Sequence, residues 1–122
     1  VNKMKLFRRK RKINTTQYAE RWDAIQQLCS ARKNWPEAVI QADGLVDEAL
    51  KCKGYKGKTT GERLVAAQHE LSSNESVWAG HKLCKTLSTE TVDVRKLKKK
   101  DIVQALSGFR QALRDLGALE SK

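Results

Sequence analysis

Residues 36–52, PEAVIQADGLVDEALKC, form the stretch that decides the fold. Small and aliphatic residues recur in it every three or four positions, the spacing that places side chains on one side of a helix. One row consists of Ala38, Ala42, Leu45 and Ala49, and the neighbouring row of Val39, Val46 and Leu50. Because a row of alanines lets another helix approach closely, this segment is predicted to be the main core helix.

Three acidic residues, Asp43, Asp47 and Glu48, lie on or beside the apolar surface of this predicted helix. The position of these three acids has two interpretations. They belong either to a solvated face or to salt bridges with a basic neighbouring helix.

Four other segments have the same helical spacing, and strands are not expected, because no run alternates β-branched or aromatic residues with polar ones. The first predicted helix begins at a cap on Thr15 or Thr16 and ends at about Ala31. The others are Pro36 to Cys52, Thr60 to Leu71, residues 77–91, and Asp101 to Leu116, which is followed by Gly117 as its terminal glycine. Amphipathic helices joined by short connectors favour an all-α fold, an antiparallel up-and-down bundle of about five helices.

The glycine- and lysine-rich connector at residues 53–61, KGYKGKTTG, superficially resembles a phosphate-binding loop. The match fails, since two residues separate Gly54 from Gly57 where the motif needs about four, and no strand precedes them. A basic turn followed by a capping box from Thr59 to Glu62 is the better interpretation.

Positive charge is concentrated at the N-terminus. The chain has a net charge of +11, and seven basic residues with no acidic one fall within residues 1–12, which leaves +4 for residues 13–122. These candidate polyanion-binding residues are Lys3, Lys5, Arg8, Arg9, Lys10, Arg11 and Lys12. Residues 1–14 are therefore predicted to be a basic tail that binds an anionic membrane surface or nucleic acid, and residues 15–122 to be the helical bundle.

The cysteines indicate a reducing compartment. Three cysteines without a CxxC pair or a secretory signal argue against a disulfide framework. They and the two histidines have no recognised zinc spacing, so neither a metal site nor a cofactor is expected. The expected location is the cytoplasm, with its membrane face as an alternative, because a basic run is typical of the residues that follow a transmembrane helix on its cytoplasmic side.

The candidate functional stretch is residues 77–91, VWAGHKLCKTLSTET. Helical spacing places His81 and Cys84 on one stripe with Val77 and Leu87, and the stripe ends in polar residues. A histidine at such a position is a candidate for proton transfer, although a hydrogen-bonded structural histidine is the commoner case.

Several of these segments resemble HEPN-like helical bundles, most closely those of short bacterial proteins of which some have a membrane anchor ahead of a basic stretch. The likeness covers about residues 18–116. It rests on a tryptophan in the first helix, on the run of residues 42–50 (ADGLVDEAL), on the Gly-Glu-Arg-Leu turn at residues 61–64, and on the His-Lys-Leu of residues 81–83.

The resemblance implies a four- or five-helix bundle that binds nucleotides or RNA, often as a dimer, and in many members cleaves RNA without a metal ion. The family's motif is an arginine, usually followed by asparagine, with a histidine four to six residues later. On this sequence Cys84 stands at the arginine position, Lys85 at the asparagine position and Thr89 at the histidine position. Catalysis is therefore not expected, and His81 is the one weak candidate.

Three functions remain open at this point. The first is a non-catalytic module that binds RNA, a nucleotide or a protein partner, possible partners including a second copy of the chain. The alternative is a structural or interaction domain of a membrane-anchored protein, held at the membrane by the tail. An active ribonuclease, which would need a substitute for the replaced motif, ranks last.

Overall fold

The structure is a computed structural model that describes residues 12–120. Five α-helices account for most of these residues, and no strand occurs among them, which confirms the predicted all-α class. The helices are α1 (Thr15–Leu28), α2 (Trp35–Cys52), α3 (Thr60–Ala66), α4 (Asn74–Thr89) and α5 (Lys99–Asp115). Short 3-10 turns, Arg32–Asn34 and Val94–Lys96, lie in the connectors before α2 and α5.

Helix α2 is the centre of the bundle and packs against all four other helices. Both rows predicted from its sequence are buried, and every alanine in the first row is fully inaccessible to solvent. The core is completed by large side chains of the other helices, among them Trp22, Leu64, Val77, Phe109 and Leu113. The interpretation of α2 as the main core helix is confirmed.

Contacts between neighbouring helices establish the antiparallel order. The start of α1 meets the end of α2, where Tyr18 Oη lies 3.8 Å from Cys52 Sγ. The start of α4 meets the end of α5, where Ser72 Oγ donates to Asp115 Oδ2 at 2.8 Å. At the opposite end, the connector after α1 contacts the connector before α5. Helices α1, α2, α4 and α5 therefore run up and down in turn, and α3 is a short element at one end.

Two glycines allow α4 and α5 to pack closely. A methyl group built on Gly80 of α4 would lie 2.7 Å from the ring of Phe109, which is fully buried. One built on Gly108 of α5 would lie 2.7 Å from the backbone of Ser76. Since neither neighbour has space to move, hydrogen is the only side chain that this helix pair accepts at these positions.

Several predicted helix ends are wrong by a few residues, for local reasons. Asn14, rather than Thr15 or Thr16, caps α1, because its side chain accepts the Gln17 N–H at 3.0 Å. The first helix ends at Leu28 rather than near Ala31, and the third ends at Ala66 rather than Leu71. The fourth starts at Asn74 and stops at Thr89, and the fifth already begins at Lys99.

The sequence also predicts two particular helix termini, a glycine cap after α5 and a capping box at the start of α3. Gly117 has φ +81°, and Ala118 N–H bonds to Leu113 O at 2.8 Å, the pattern of a left-handed glycine cap. Thr59 accepts the Glu62 N–H at 3.1 Å, but the Glu62 carboxylate accepts from Lys58 N–H, not from Thr59 N–H. The capping box is thus formed with its reciprocal bond displaced by one residue.

Within residues 12–120, no helix combines the length and the apolar character needed to cross a bilayer.

The two helical glycines Gly44 and Gly108 make a matched pair for a test of this packing. Gly44→Ala should stabilise the protein by about 0.5–1 kcal/mol, because alanine favours a helix interior and nothing lies within 4 Å of the added methyl group. Gly108→Ala should destabilise it by about 1–3 kcal/mol, since the methyl group meets the α4 backbone. Urea unfolding of both variants measures the difference, and equal effects would contradict the close approach of α4 and α5.

Candidate functional site

The candidate histidine contacts an aspartate of the central helix. His81 Nδ1 of α4 lies 2.9 Å from Asp43 Oδ1 of α2, and each side chain is 12% exposed. An ionised carboxylate can only accept a hydrogen bond, so Nδ1–H donates to it and Nε2 is the nitrogen left for chemistry. The pair has the connectivity of a histidine oriented by a carboxylate.

Asp43 is unusual because it is a buried acid. Only 8% of the residue is exposed, and burial raises the pKa of its carboxyl group, while the hydrogen bond from His81 lowers it. Its interpretation as part of a solvated face is therefore wrong. The sequence did hold a signal, since Asp43 lies four residues after Val39 and three before Val46, on the apolar stripe itself.

Cys84 lies close to this pair and is held as a thiol. It follows His81 by almost one turn, and its Sγ lies 3.9 Å from Ser88 Oγ. Burial, reinforced by the charge of Asp43, raises the pKa of the Cys84 thiol to about 11. Because the thiolate rather than the thiol is the nucleophile, Cys84 is a poor candidate for covalent catalysis at neutral pH.

Helix α3 lies beside Nε2 of His81. A methyl group built on Gly61 would lie 3.8 Å from His81 Nε2 and 3.5 Å from Trp78 Cη2. The Trp78 ring also packs edge-on against the imidazole, with ring centroids 5.8 Å apart. Gly61 of α3 and the Trp78 ring therefore border the imidazole, which keeps 12% of its surface exposed.

An ion pair with α2 holds α3 in this position. Arg63 of α3 forms two hydrogen bonds with Asp47 of α2, Nε–Oδ1 at 2.6 Å and Nη2–Oδ2 at 3.0 Å, and Nη1 donates to Gly57 O at 2.5 Å. Burial alone would raise the pKa of Asp47, but the hydrogen bonds and charge of Arg63 outweigh it and lower the pKa. For Asp47, the salt-bridge interpretation is confirmed.

Glu48, the third acidic residue of the set, also forms a salt bridge, but with a different helix. Arg21 of α1 donates to both of its carboxylate oxygens, at 2.7 and 2.6 Å, and the two side chains are 42% and 50% exposed. This pair matches the Asp47–Arg63 pair in geometry and differs from it in burial.

Lys85 and Thr89, the other two residues at the motif positions, are not part of the contact between His81 and Asp43. Lys85 is exposed, and Thr89 donates its hydroxyl to Lys85 O at 2.7 Å, as a threonine at the end of a helix often does. Of the predicted polyanion-binding residues, Lys12 is exposed, and Lys3, Lys5, Arg8, Arg9, Lys10 and Arg11 lie outside the described residues.

Other recesses offer less chemistry. A cleft of about 570 Å³ between α1 and α5 is lined by both acidic and basic side chains, including Asp23 and Arg110, but by no histidine or cysteine. In the part of the chain that the structure describes, no three histidine, cysteine or acidic side chains converge on a point where a metal ion could bind.

Comparison with known proteins gives no significant match to a family model, to a curated protein or to a solved structure. The resemblance to HEPN-like bundles therefore stays a prediction, which the helical architecture neither confirms nor refutes.

The Asp47–Arg63 and Glu48–Arg21 pairs provide a test of what burial contributes to the strength of an ion pair. Asp47→Asn leaves Arg63, which is 9% exposed, without its charge partner and should cost about 2–4 kcal/mol of unfolding free energy. Glu48→Gln removes one partner of the exposed pair and should cost less than about 1 kcal/mol. Chemical denaturation at pH 7 measures both, and equal losses would show that the Asp47 pair behaves as a surface contact.

The loss of unfolding free energy caused by Asp47→Asn should also depend on pH. Because the folded-state pKa of Asp47 is lowered below its ordinary 3.8, its stabilisation is present above the ordinary pKa and is lost as the pH falls through the lowered one. The stability gap between the wild type and Asp47→Asn should therefore narrow in acid. Asp43 is present in both proteins, and the charge of Asp47 is the smallest of the effects on the pKa of Asp43, so most of its contribution cancels in this comparison. A gap that widened in acid would contradict the assignment.

Proposed function

We propose that this chain is a non-catalytic, HEPN-like helical module that binds RNA through its positive charge, with the tail as one contact. The proposal rests on α4, the helix on which the resemblance places the family's motif. Where the resemblance places an arginine and a histidine, α4 has a protonated thiol and a threonine bonded to its own backbone. RNA binding without cleavage is the function that agrees with both this helix and the net charge of +11.

The environment of His81 further supports the absence of catalysis. A ribonuclease needs a base that can reach the reacting hydroxyl group and a cation that stabilises the charge on phosphate. His81 Nε2 is bordered by Gly61 of α3 and by Trp78, and Arg63 of that helix is already engaged by Asp47. A nucleotide or a protein partner would be compatible with the same module, but the charge favours a longer polyanion.

A second candidate function rests on the composition of the tail. Leu6 and Phe7 stand among its basic residues, a combination typical of segments that bind anionic membrane surfaces. In this alternative the bundle is an interaction domain at the cytoplasmic face of a membrane.

The first test is for ribonuclease activity. The purified full chain should leave structured and unstructured RNA intact over hours, because Cys84 and Thr89 stand where the resemblance places the arginine and the histidine of the motif. Gel analysis of labelled RNA measures this. Cleavage that copurifies with the protein and is lost in a folded His81→Gln variant would overturn the proposal and identify His81 as catalytic.

The second test changes the tail in the full chain. Replacing Lys3, Lys5, Arg8, Arg9, Lys10 and Arg11 with glutamine should weaken RNA binding and make it less sensitive to salt, since fewer counterions are released. The melting temperature should not change. Fluorescence anisotropy with RNA and flotation with phosphatidylserine vesicles compare the two partners, and loss of vesicle binding alone would favour the membrane alternative.

A further inference from the structure

Two connectors that are far apart in the sequence meet at one end of the bundle. Arg32, in the connector between α1 and α2, donates from Nη1 to Leu97 O, in the connector before α5, at 2.7 Å. The Arg32 guanidinium also lies 4.3 Å from the centre of the buried Trp35 ring. These contacts fix the two connectors as a single surface.

This surface holds the excess positive charge of the described bundle. Residues 29–34 and 90–100 contain seven basic and two acidic residues, a net charge of +5, whereas the rest of residues 12–120 contains eleven basic and twelve acidic residues. We call these seven basic residues the connector surface: Arg32, Lys33, Arg95, Lys96, Lys98, Lys99 and Lys100. The +4 of the domain is therefore not spread over the bundle, but is concentrated at one end.

The lysines of the connector surface are available to a partner. All five are exposed, and within residues 12–120 none of them has an ion-pair partner. Of the acidic residues in the two connectors, Asp93 is engaged by Arg95 at 3.2 Å.

Three of these lysines stand where they disfavour the helix that follows them. Lys98 is the N-cap of α5 and makes no side-chain capping bond, and Lys99 and Lys100 are its first residues. Positive charge at a helix N-terminus opposes the helix dipole by about 0.3–1 kcal/mol, and the single acid of this turn, Asp101, offsets part of it. Helix formation therefore does not account for the lysines, whereas a negatively charged partner would.

The composition of the surface indicates which polyanion it suits. The exposed large hydrophobic residues in the described chain, Val65 and Val103, lie outside the two connectors, and Trp35 is buried. The connector surface thus has no side chain to insert into a bilayer and no exposed ring on which an unpaired base could stack. Contacts with phosphate groups, without reading of bases, are what it can make.

We propose that the connector surface binds the phosphate backbone of double-stranded RNA, independently of sequence. The inference rests on the proposed function, because it assumes an RNA partner, and it adds a site on the folded domain to the predicted contact of the tail. The tail joins the bundle at the start of α1, and the connector surface lies beyond the end of that helix. The point at which the tail joins the bundle is therefore separated from the connector surface by the length of α1, about 21 Å for 14 residues.

The experiment uses the full chain with Lys98, Lys99 and Lys100 replaced by glutamine. In the matched control, glutamine replaces Lys56, Lys58 and Lys82, three exposed lysines outside the connector surface. The two variants therefore have the same net charge. Binding to a labelled 20-base-pair RNA duplex is measured by fluorescence anisotropy over a range of salt concentrations. The same strand unpaired, and phosphatidylserine vesicles, serve as comparison probes.

If the inference is correct, the connector variant binds the duplex about tenfold or more weakly, and the slope of log K against log salt falls by about two or three. The control variant changes both quantities much less, and the melting temperature of the connector variant stays equal or rises, because unfavourable charge leaves the helix terminus. A contact that merely stabilised the fold would lower the melting temperature instead.

Different failures have different meanings. If the wild type binds no RNA, the proposed function and the inference are both overturned. If the tail variant loses duplex binding while the connector variant and the control bind like the wild type, the proposed function stands and the inference is wrong. Loss of vesicle binding alone in the connector variant would also overturn the inference, by assigning the surface to a membrane.

Discussion

Two acidic residues on the central helix impose the constraint on which the rest of the structure depends. Asp43 and Asp47 lie one turn apart on α2, a helix otherwise packed with alanine, valine and leucine. A carboxylate withdrawn from water needs a hydrogen-bonding or charged partner, and removing that partner is costly. His81 of α4 contacts the first and Arg63 of α3 contacts the second. The positions of both helices on α2 are therefore set by polar contacts as well as by apolar packing.

The two contacts also depend on each other. Arg63 holds α3 against α2, and α3 in turn lies beside the nitrogen of His81 that does not face Asp43. A histidine oriented by a carboxylate is a common catalytic arrangement, yet here the imidazole is also packed between Gly61 of α3 and the edge of the Trp78 ring. The residues that look most like a reaction centre in the sequence are in this way part of the joint between three helices.

The sequence predicts what depends on local periodicity, and fails where distant residues meet. The spacing of α2 and the left-handed Gly117 after α5 are encoded within a few residues, so both could be predicted. The contact of Asp43 with His81 joins positions 38 residues apart, and nothing local indicates it except the place of an acid on an apolar stripe. The sequence predicts the end of α3 five residues too late, because Ala67 and Leu71 are buried in the segment that follows and prolong the apolar pattern beyond the helix.

The distribution of charge has a different origin from the packing. Asn14 and Thr59 cap α1 and α3 with side chains that accept backbone N–H groups, so good caps occur elsewhere in this chain. At the start of α5 the corresponding position is Lys98, which accepts nothing, and two more lysines follow. The helix forms despite them because its apolar face, with Phe109 and Leu113, is fully buried against the core. The fold thus tolerates these lysines but gains nothing from them, and a polyanion is the kind of partner for which they would be suited.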